Sequence, residues 1–143
     1  MIDSNFYDSL VLIHPDFGVP HNRNYFENIQ IAVAQFRRSK KSIFILENPL
    51  DSKNSNLTNF LKDFPRIPNN DDFPQYEVDY IAGRLHKLPR DINIAFGGTL
   101  AGHCVYGVAR TWCAVIVSSF QNNYSISPVS CPISFGRIFN EIV

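Results

Sequence analysis

A glycine-rich turn that leads to a cysteine is the strongest chemical signal in this chain. Residues 97–105 read GGTLAGHCV and join a short apolar run to a helical pattern. Glycines permit sharp turns and close approach of a ligand to the backbone. The candidate ligand-binding residues of this turn are Gly97, Gly98, Gly102 and His103. A thiol in the first turn of a helix meets unpaired N–H groups and the positive end of the helix dipole, which favour the thiolate. Cys104 is therefore a candidate nucleophile.

A nucleophilic cysteine needs a base and donors that hold the developing oxyanion. The backbone N–H groups of residues 102–104 can supply those donors. His14 and Asp16 follow the first apolar run of the chain, residues 10–13, and are the candidate bases. The structural alternative is that Cys104 acts only as a small apolar core residue and that the glycines let a helix pack closely on a strand. The sequence leaves both interpretations open.

Short apolar runs alternate with helical patterns along the chain, which is typical of α/β proteins. The predicted strands cover residues 10–13, 43–46, 92–96 and 114–117. The predicted helices cover residues 25–38, 57–64, 76–88, 101–112 and 134–142. Asn24 and Glu27 have the spacing of a capping box at the start of the first helix. Residues 65–75 are rich in proline and polar residues, which predicts an irregular, exposed and mobile loop.

The continuous apolar runs predict strands that are buried on both faces of a sheet. Together with the intervening helices they predict one α/β domain over residues 1–143. Its expected architecture is a three-layer sandwich of the Rossmann-like kind, with a mainly parallel sheet and helices on both faces. The expected order of the predicted strands is 2-1-3-4, so the first and third strands are neighbours. That order brings His14 and Asp16 close to Gly97 and Gly98, in the crevice where such sheets bind ligands.

Composition narrows the classes of function. The chain has 143 residues, of which 45% are hydrophobic and 18% charged, and this suits a globular domain with its own core. Its formal net charge is zero, so no nucleic-acid partner is expected. The only basic cluster, residues 37–41, is predicted at a helix end, where cations complement the dipole. No apolar run is long enough to cross a bilayer, so no membrane partner is expected either.

The cysteines and the start of the chain bear on cofactors and location. Three cysteines cannot all pair within one chain, and their spacing matches no zinc motif. No metal and no cofactor are therefore predicted. The first residues lack the pattern of a signal peptide, and cysteines that stay reduced favour the cytoplasm. Many phenylalanines combined with zero net charge predict self-association into a homo-oligomer.

The segment GTLAGHCV, residues 98–105, resembles the nucleophile segment of the isochorismatase-like cysteine hydrolases, a family that includes the nicotinamidases. In that family a glycine precedes the cysteine by six residues, and small residues follow along the helix, where this chain has Ala109. The strand–helix–strand pattern at the start of the chain also agrees. The resemblance implies an isochorismatase-like fold, Cys104 as nucleophile, an aspartate base after the first strand, and an oligomer.

Two positions depart from the pattern of that family. His14 occupies the position of the aspartate base, and Asp16 follows two residues later. The catalytic lysine of the family has no clear counterpart. Lys62 lies in the segment where that lysine is expected, Arg66 is an alternative cation in the same segment, and Lys87 comes too late in the chain. The metal-binding acid and histidines of nicotinamidases have no counterpart either.

Two functional hypotheses follow, and both stay open. The first is a small cysteine hydrolase that acts on an amide or related small-molecule ligand, with Cys104 as nucleophile and Asp16 or His14 as base. The second is a catalytically inactive relative that binds a ligand or serves in assembly, which the missing lysine favours. A nucleotide-binding domain unrelated to that family is a third alternative, which the absence of a GxGxxG motif disfavours.

Overall fold

The structure is a computed structural model that describes residues 4–18, 24–70, 72–98, 104–121 and 135–138. Within these ranges one sheet contains the strands β1 (Ser9–Ile13), β2 (Ser42–Glu47), β3 (Arg66–Pro68), β4 (Ile94–Gly98) and β5 (Phe135–Ile138). The α-helices are α1 (Tyr25–Arg38), α2 (Ser55–Phe60), α3 (Pro74–Leu85) and α4 (Tyr106–Gln121). None of the helices in the described ranges is both long and apolar enough to cross a membrane.

The strands lie in the order β3-β2-β1-β4-β5, and every neighbouring pair is parallel. β1 is central and pairs with β2 on one side and with β4 on the other. The prediction that the first and third predicted strands are neighbours is therefore confirmed, because these strands correspond to β1 and β4. The chain builds outward from β1 to β3 and then crosses to β4, so the strand order reverses between β1 and β4.

Each face of the sheet is covered by a different pair of helices, which confirms the predicted three-layer α/β architecture. Successive residues of a strand point to opposite faces. Leu10 and Leu12 of β1 belong to the core beneath α1 and α2, whose buried members include Ile29, Phe36 and Leu57. Val11 and Ile13 belong to the core beneath α3 and α4, whose buried members include Ile81, Val108 and Trp112. Continuous burial of β1 explains why its sequence is apolar throughout rather than alternating.

Residues 114–117 were predicted to be a strand but lie inside α4. The buried side chains before them recur at helical spacing, namely Val105, Val108, Ala109 and Trp112. Val115 continues that stripe and packs against the same core. A short apolar run fits a strand and a buried helix equally well, and here the helical stripe decides.

Two further elements also differ from the prediction. Residues 66–68, expected in an irregular loop, form β3, and Ile67 is buried in the core. Residues 135–138, expected in a final helix, form β5 beside β4. Both strands lie at the edges of the sheet, where pairing with a neighbour rather than the local pattern determines the conformation.

The first helix has its predicted bounds, but the predicted capping box does not form. Asn24 is the residue that precedes α1, and its side chain makes no capping hydrogen bond. A side-chain cap is present instead at α2, where the Oδ1 atom of Asn54 accepts hydrogen bonds from the backbone N–H groups of Asn56 and Leu57. Asn54 thereby fixes the start of a short helix that contributes to the candidate site.

Candidate functional site

The carboxyl ends of β1 and β4 meet at one edge of the sheet, here called the carboxyl edge. Their last residues, Ile13 and Gly98, are paired. A Cβ atom at Gly98 would lie 2.1 Å from the carbonyl oxygen of Ile13 and 3.0 Å from Cγ2 of Val105. The start of the last described helix therefore packs directly over the ends of both strands. Cys104 immediately precedes Val105 in this position.

Cys104 lies in a turn of π-helical form that leads into α4. Its side chain is half-buried and packs against the core between the sheet and the helices α3 and α4. Gly102 and His103 lie outside the described residues, and so do most of the donors expected for an oxyanion. Gly97 and Gly98 were expected in a turn, but β4 extends through both of them, and both are buried. Both glycines are therefore strand residues, and Gly98 allows the close packing at the carboxyl edge.

His14 follows β1 and has a left-handed backbone conformation, with φ of 45°. This conformation is unfavourable for a residue with a side chain and costs on the order of 1 kcal/mol or more. It is held in place because the His14 backbone N–H donates to the Leu46 carbonyl oxygen at 2.8 Å. The half-buried imidazole has its Nε2 atom 3.0 Å from Oδ1 of Asn69, in the loop that follows β3.

Asn69 is in turn oriented by Glu77, a buried residue of α3 that is 1% exposed. The Nδ2 atom of Asn69 donates to Oε1 of Glu77 at 2.9 Å, and the Asn70 backbone N–H donates to the same oxygen at 2.7 Å. The other carboxylate oxygen of Glu77 accepts from Nε1 of Trp112 at 3.0 Å. Glu77, which belongs to α3, thus connects α4 and the loop that follows β3 in one hydrogen-bond network.

This network determines which ring nitrogen of His14 carries the proton. The carboxylate of Glu77 accepts hydrogen bonds, so Asn69 turns its NH₂ group toward Glu77 and its carbonyl oxygen toward His14. The Nε2 atom of His14 must then be the donor to Asn69. In the neutral imidazole the Nδ1 atom is consequently the nitrogen that can accept a proton.

Asp16, the other candidate base, is only 2% exposed and is engaged by two donors. Its Oδ2 atom accepts from Nη2 of Arg66 at 2.9 Å and from Oγ1 of Thr58 at 2.7 Å. Arg66 also donates through Nη1 to Oε2 of Glu47 at 2.9 Å. A carboxylate buried among these partners cannot meet a substrate unless they are displaced. The structure therefore favours a role for Asp16 in holding the segment after His14.

The electrostatics of this cluster keep Arg66 charged. Burial lowers the pKa of Arg66, but its hydrogen bonds to Asp16 and Glu47 and the attraction of both carboxylates raise it more. The net result is a pKa above the ordinary arginine value. Of the three cations considered as counterparts of the family's lysine, Arg66 is the one bonded to Asp16. Lys87 instead bonds to Asp8 at 2.7 Å, before β1, and Lys62 is exposed.

The sequence prediction missed Asn69 and Glu77. The signal for Glu77 was present, since it lies four residues before Ile81 on the apolar side of the predicted helix 76–88. A charged residue at a core-facing position requires hydrogen-bond partners, and a buried tryptophan nearby requires an acceptor for its N–H group. Asn69 carried no comparable signal within its polar loop.

In the described ranges no group of three or more histidine, cysteine or acidic side chains is placed to hold a metal ion. Comparison with protein-family models, with curated proteins and with solved structures gives no match.

Proposed function

We propose that this protein is a small cysteine hydrolase that acts on an amide or a related small molecule at the carboxyl edge. Cys104 is the nucleophile and His14 is the base. The observation that carries the proposal is the hydrogen-bond chain from Glu77 through Asn69 to His14. It orients an imidazole at the end of β1, beside the strand that leads to Cys104.

The reaction follows the usual course of cysteine-based acyl transfer. Nδ1 of His14 takes the thiol proton, and the Cys104 thiolate attacks the carbonyl carbon of the amide. The expected donors to the oxyanion of the tetrahedral intermediate are the backbone N–H groups of residues 102–104. His14 returns the proton to the departing amine, which leaves a thioester on Cys104. A water molecule deprotonated by His14 then releases the acid and restores the thiol.

Asp16 has a positioning role in this proposal. Its ion pair with Arg66 anchors the segment that follows His14, and the hydroxyl of Tyr25 anchors the same segment through the carbonyl oxygen of Pro15 at 2.5 Å. A reactive thiol persists best in a reducing compartment, so the proposal includes a cytoplasmic location.

Alkylation of Cys104 by iodoacetamide as a function of pH tests the proposal. Cys113 and Cys131 are first replaced by serine, so that a single thiol is followed. We expect a midpoint clearly below the ordinary thiol value of about 8.5, and a shift toward that value in His14→Gln. Glutathione measured in parallel supplies the reference curve. A Cys104 midpoint that equals the reference and is unchanged in His14→Gln would refute the hydrolase.

Turnover is tested separately with a panel of small primary amides, by measuring released ammonia. Cys104→Ser should abolish the release, and His14→Gln should lower kcat by roughly 100-fold or more, as expected for loss of a general base. His86→Gln is the matched control because His86 is exposed and lies after α3, away from the carboxyl edge. A loss of the same size in His86→Gln would count against the assigned base.

The second candidate is a catalytically inactive relative that binds a ligand or serves in an assembly. The ion pair between Arg66 and Asp16 favours it, because the family resemblance assigns an aspartate as base and this one is used structurally. This candidate predicts alkylation of Cys104 that is independent of His14. It also includes the predicted homo-oligomer, which light scattering would detect as a mass above the 16.3 kDa of one chain.

A further inference from the structure

A cleft of about 560 Å³ lies away from the candidate site, at the edge of the sheet where the strands begin. We call this the amino-edge cleft. It is bounded by the start of β2, by the turn that precedes β3 and by the end of α3. Its volume falls within the range of about 300–1,000 Å³ that is typical of small-molecule sites.

The charged and ionisable side chains around the amino-edge cleft are basic. Lys41, Arg84 and His86 line it, and none of the other described residues that line it is acidic. Within the described ranges, none of these three side chains takes part in an ion pair or a side-chain hydrogen bond. Because the whole chain has no net charge, this concentration of positive charge in one concave surface is a local feature.

Helix ends account for these basic side chains only in part. α1 and α3 both end at this edge, and cations there complement the helix dipoles. In the last turn of each helix, however, backbone N–H groups already bond carbonyl groups. The N–H of Lys41 donates to the Phe36 carbonyl oxygen at 2.9 Å, and the N–H of Lys87 donates to that of Ala82 at 3.0 Å. The basic side chains therefore remain available to a ligand.

The sheet also presents a backbone donor to this cleft. β3 begins at Arg66, opposite Ile45, and the Ile45 N–H donates to the Pro65 carbonyl oxygen at 2.9 Å. Backbone groups alternate in direction along a strand, so the N–H of Ile43 points to the same side as that of Ile45. At Ile43 the short β3 has not yet begun, so this alternation directs the N–H of Ile43 toward the unpaired side of β2, and Ile43 is among the residues that line the cleft.

Apolar residues also line the amino-edge cleft, and two of them are aromatic. Phe44 and Phe64 both line it. The Phe64 ring is half-buried and carries the guanidinium of Arg37 at 4.9 Å from its centroid. Phe44 makes an edge-to-face contact with Tyr80, with the centroids 6.4 Å apart. Phe44 is only 2% exposed, so a ligand in this cleft meets the basic side chains and the exposed part of the Phe64 ring.

We propose that the amino-edge cleft binds a small organic anion with a planar apolar body, such as an aryl phosphate or an aryl carboxylate. Arg84 and Lys41 pair with the anionic group, the N–H of Ile43 donates to it, and Phe64 contacts the planar body. The cleft and the candidate active site lie at opposite edges of the sheet, so this proposal is independent of the hydrolase proposal.

Titration of the ¹⁵N-labelled protein with four probes tests the proposal by NMR. Phenyl phosphate and benzoate carry both an anion and a ring, inorganic phosphate carries only the anion, and phenol carries only the ring. We expect phenyl phosphate or benzoate to shift the amide signals of Ile43, Gly83 and Arg84 saturably. Inorganic phosphate and phenol should each bind at least about 5-fold more weakly, because each makes only part of the contacts. The stronger of the two aryl anions identifies the preferred acid group.

Charge substitutions complete the test. Arg84→Gln and Lys41→Gln should each weaken aryl-anion binding by about 5-fold or more. Arg110→Gln is the matched control, since Arg110 is an exposed helical arginine near the start of α4 that lies over the ring of Tyr106. It should leave the affinity unchanged. Absence of saturable shifts up to about 10 mM probe, shifts centred away from these residues, or equal weakening by Arg84→Gln and Arg110→Gln would each overturn the proposal.

Discussion

The Nη2 atom of Arg66 lies 2.9 Å from Oδ2 of Asp16, although the two residues belong to segments separated by β2 in the sheet. The same guanidinium reaches Glu47 at the end of β2. Arg66, on the outermost strand β3, thus connects three neighbouring segments at the carboxyl edge. This cluster supports His14 from one face of the sheet, while the network of Asn69 and Glu77 supports it from the other.

Replacement of Arg66 by methionine should destabilise the protein. Arg66→Met removes a charge partner and leaves the carboxylate of Asp16 buried, so the free energy of unfolding should fall by about 3 kcal/mol. Urea unfolding followed by circular dichroism measures this loss. The double variant Arg66→Met/Asp16→Asn should recover part of it, because no unpaired buried charge remains. A loss below about 1 kcal/mol would mean that the ion pair is not structural.

The contribution of Arg66 should be insensitive to pH near neutrality. Its pKa is higher in the folded than in the unfolded chain, so its stabilisation is complete below the unfolded-state pKa and is lost only as pH rises through the folded-state pKa. The difference in unfolding free energy between the wild type and Arg66→Lys should be constant from about pH 6 to about pH 9. It should widen above about pH 10, where an ordinary lysine loses its proton. A marked slope within the lower range would contradict the assignment.

Glu77→Gln tests the buried acceptor of the second network. An amide presents an NH₂ group where Glu77 now accepts from Asn69, Asn70 and Trp112, so one donor must face another. We expect a loss of about 1–3 kcal/mol in unfolding free energy. Asp63→Asn, at an exposed position, is the matched control and should change stability by less than about 0.5 kcal/mol. Equal effects of the two substitutions on the free energy of unfolding would show that the network does not stabilise the protein.

The protonation of His14 can be observed directly. The network predicts that neutral His14 carries its proton on Nε2, and ¹⁵N chemical shifts of the imidazole distinguish the two tautomers. Asn69→Ala removes the acceptor of that proton and should increase the population of the other tautomer. Dominance of the Nδ1–H form in the wild-type protein would exclude His14 Nδ1 as the base, whatever the reactivity of Cys104.

Gly98 should tolerate no side chain. In Gly98→Ala the new Cβ atom would lie 2.1 Å from the Ile13 carbonyl oxygen, at a residue whose φ is +157°. The strand ends must separate, so we expect a loss of at least about 2 kcal/mol in unfolding free energy. Gly107→Ala is the contrasting variant, because nothing lies within 4 Å of its added Cβ in α4. It should stabilise the protein by about 0.5–1 kcal/mol. Two variants of equal stability would show that the strand ends are less tightly packed.

The apolar runs that the sequence correctly predicts as strands are those whose flanking residues do not continue a helical pattern. Residues 10–13 and 43–46 are continuous apolar runs bounded by polar residues, and they form the centre of a sheet covered on both faces. The incorrect predictions concern patterns that fit two conformations. Residues 114–117 fit a strand or a buried helix, and β3 is only three residues long, so its pairing with β2 alone defines it.

The sequence likewise predicts some residues of the candidate site and not others. His14 and Asp16 are predictable because they directly follow a strand, and the ends of parallel strands share one edge. Their partners are not, because the contact between His14 and Asn69 joins residues 55 positions apart. No local pattern reports such a contact. These distant partners bury the side chain of Asp16 and orient that of His14, and so distinguish two residues that the sequence presents as equivalent candidates.

The central position of β1 has a consequence for synthesis of the chain. β1 pairs with β2 soon after both strands have been synthesised, but the side of β1 that pairs with β4 stays unpaired until β4 has been synthesised. The hydrogen bond between Asp8 and Asn93, beside these two strands, joins residues 85 positions apart. At a translation rate of roughly 5–20 residues per second, that edge stays unpaired for roughly 4–17 s. An apolar strand with an open edge is a template for pairing with other chains. During this interval a nascent chain is most exposed to aggregation and most dependent on chaperones.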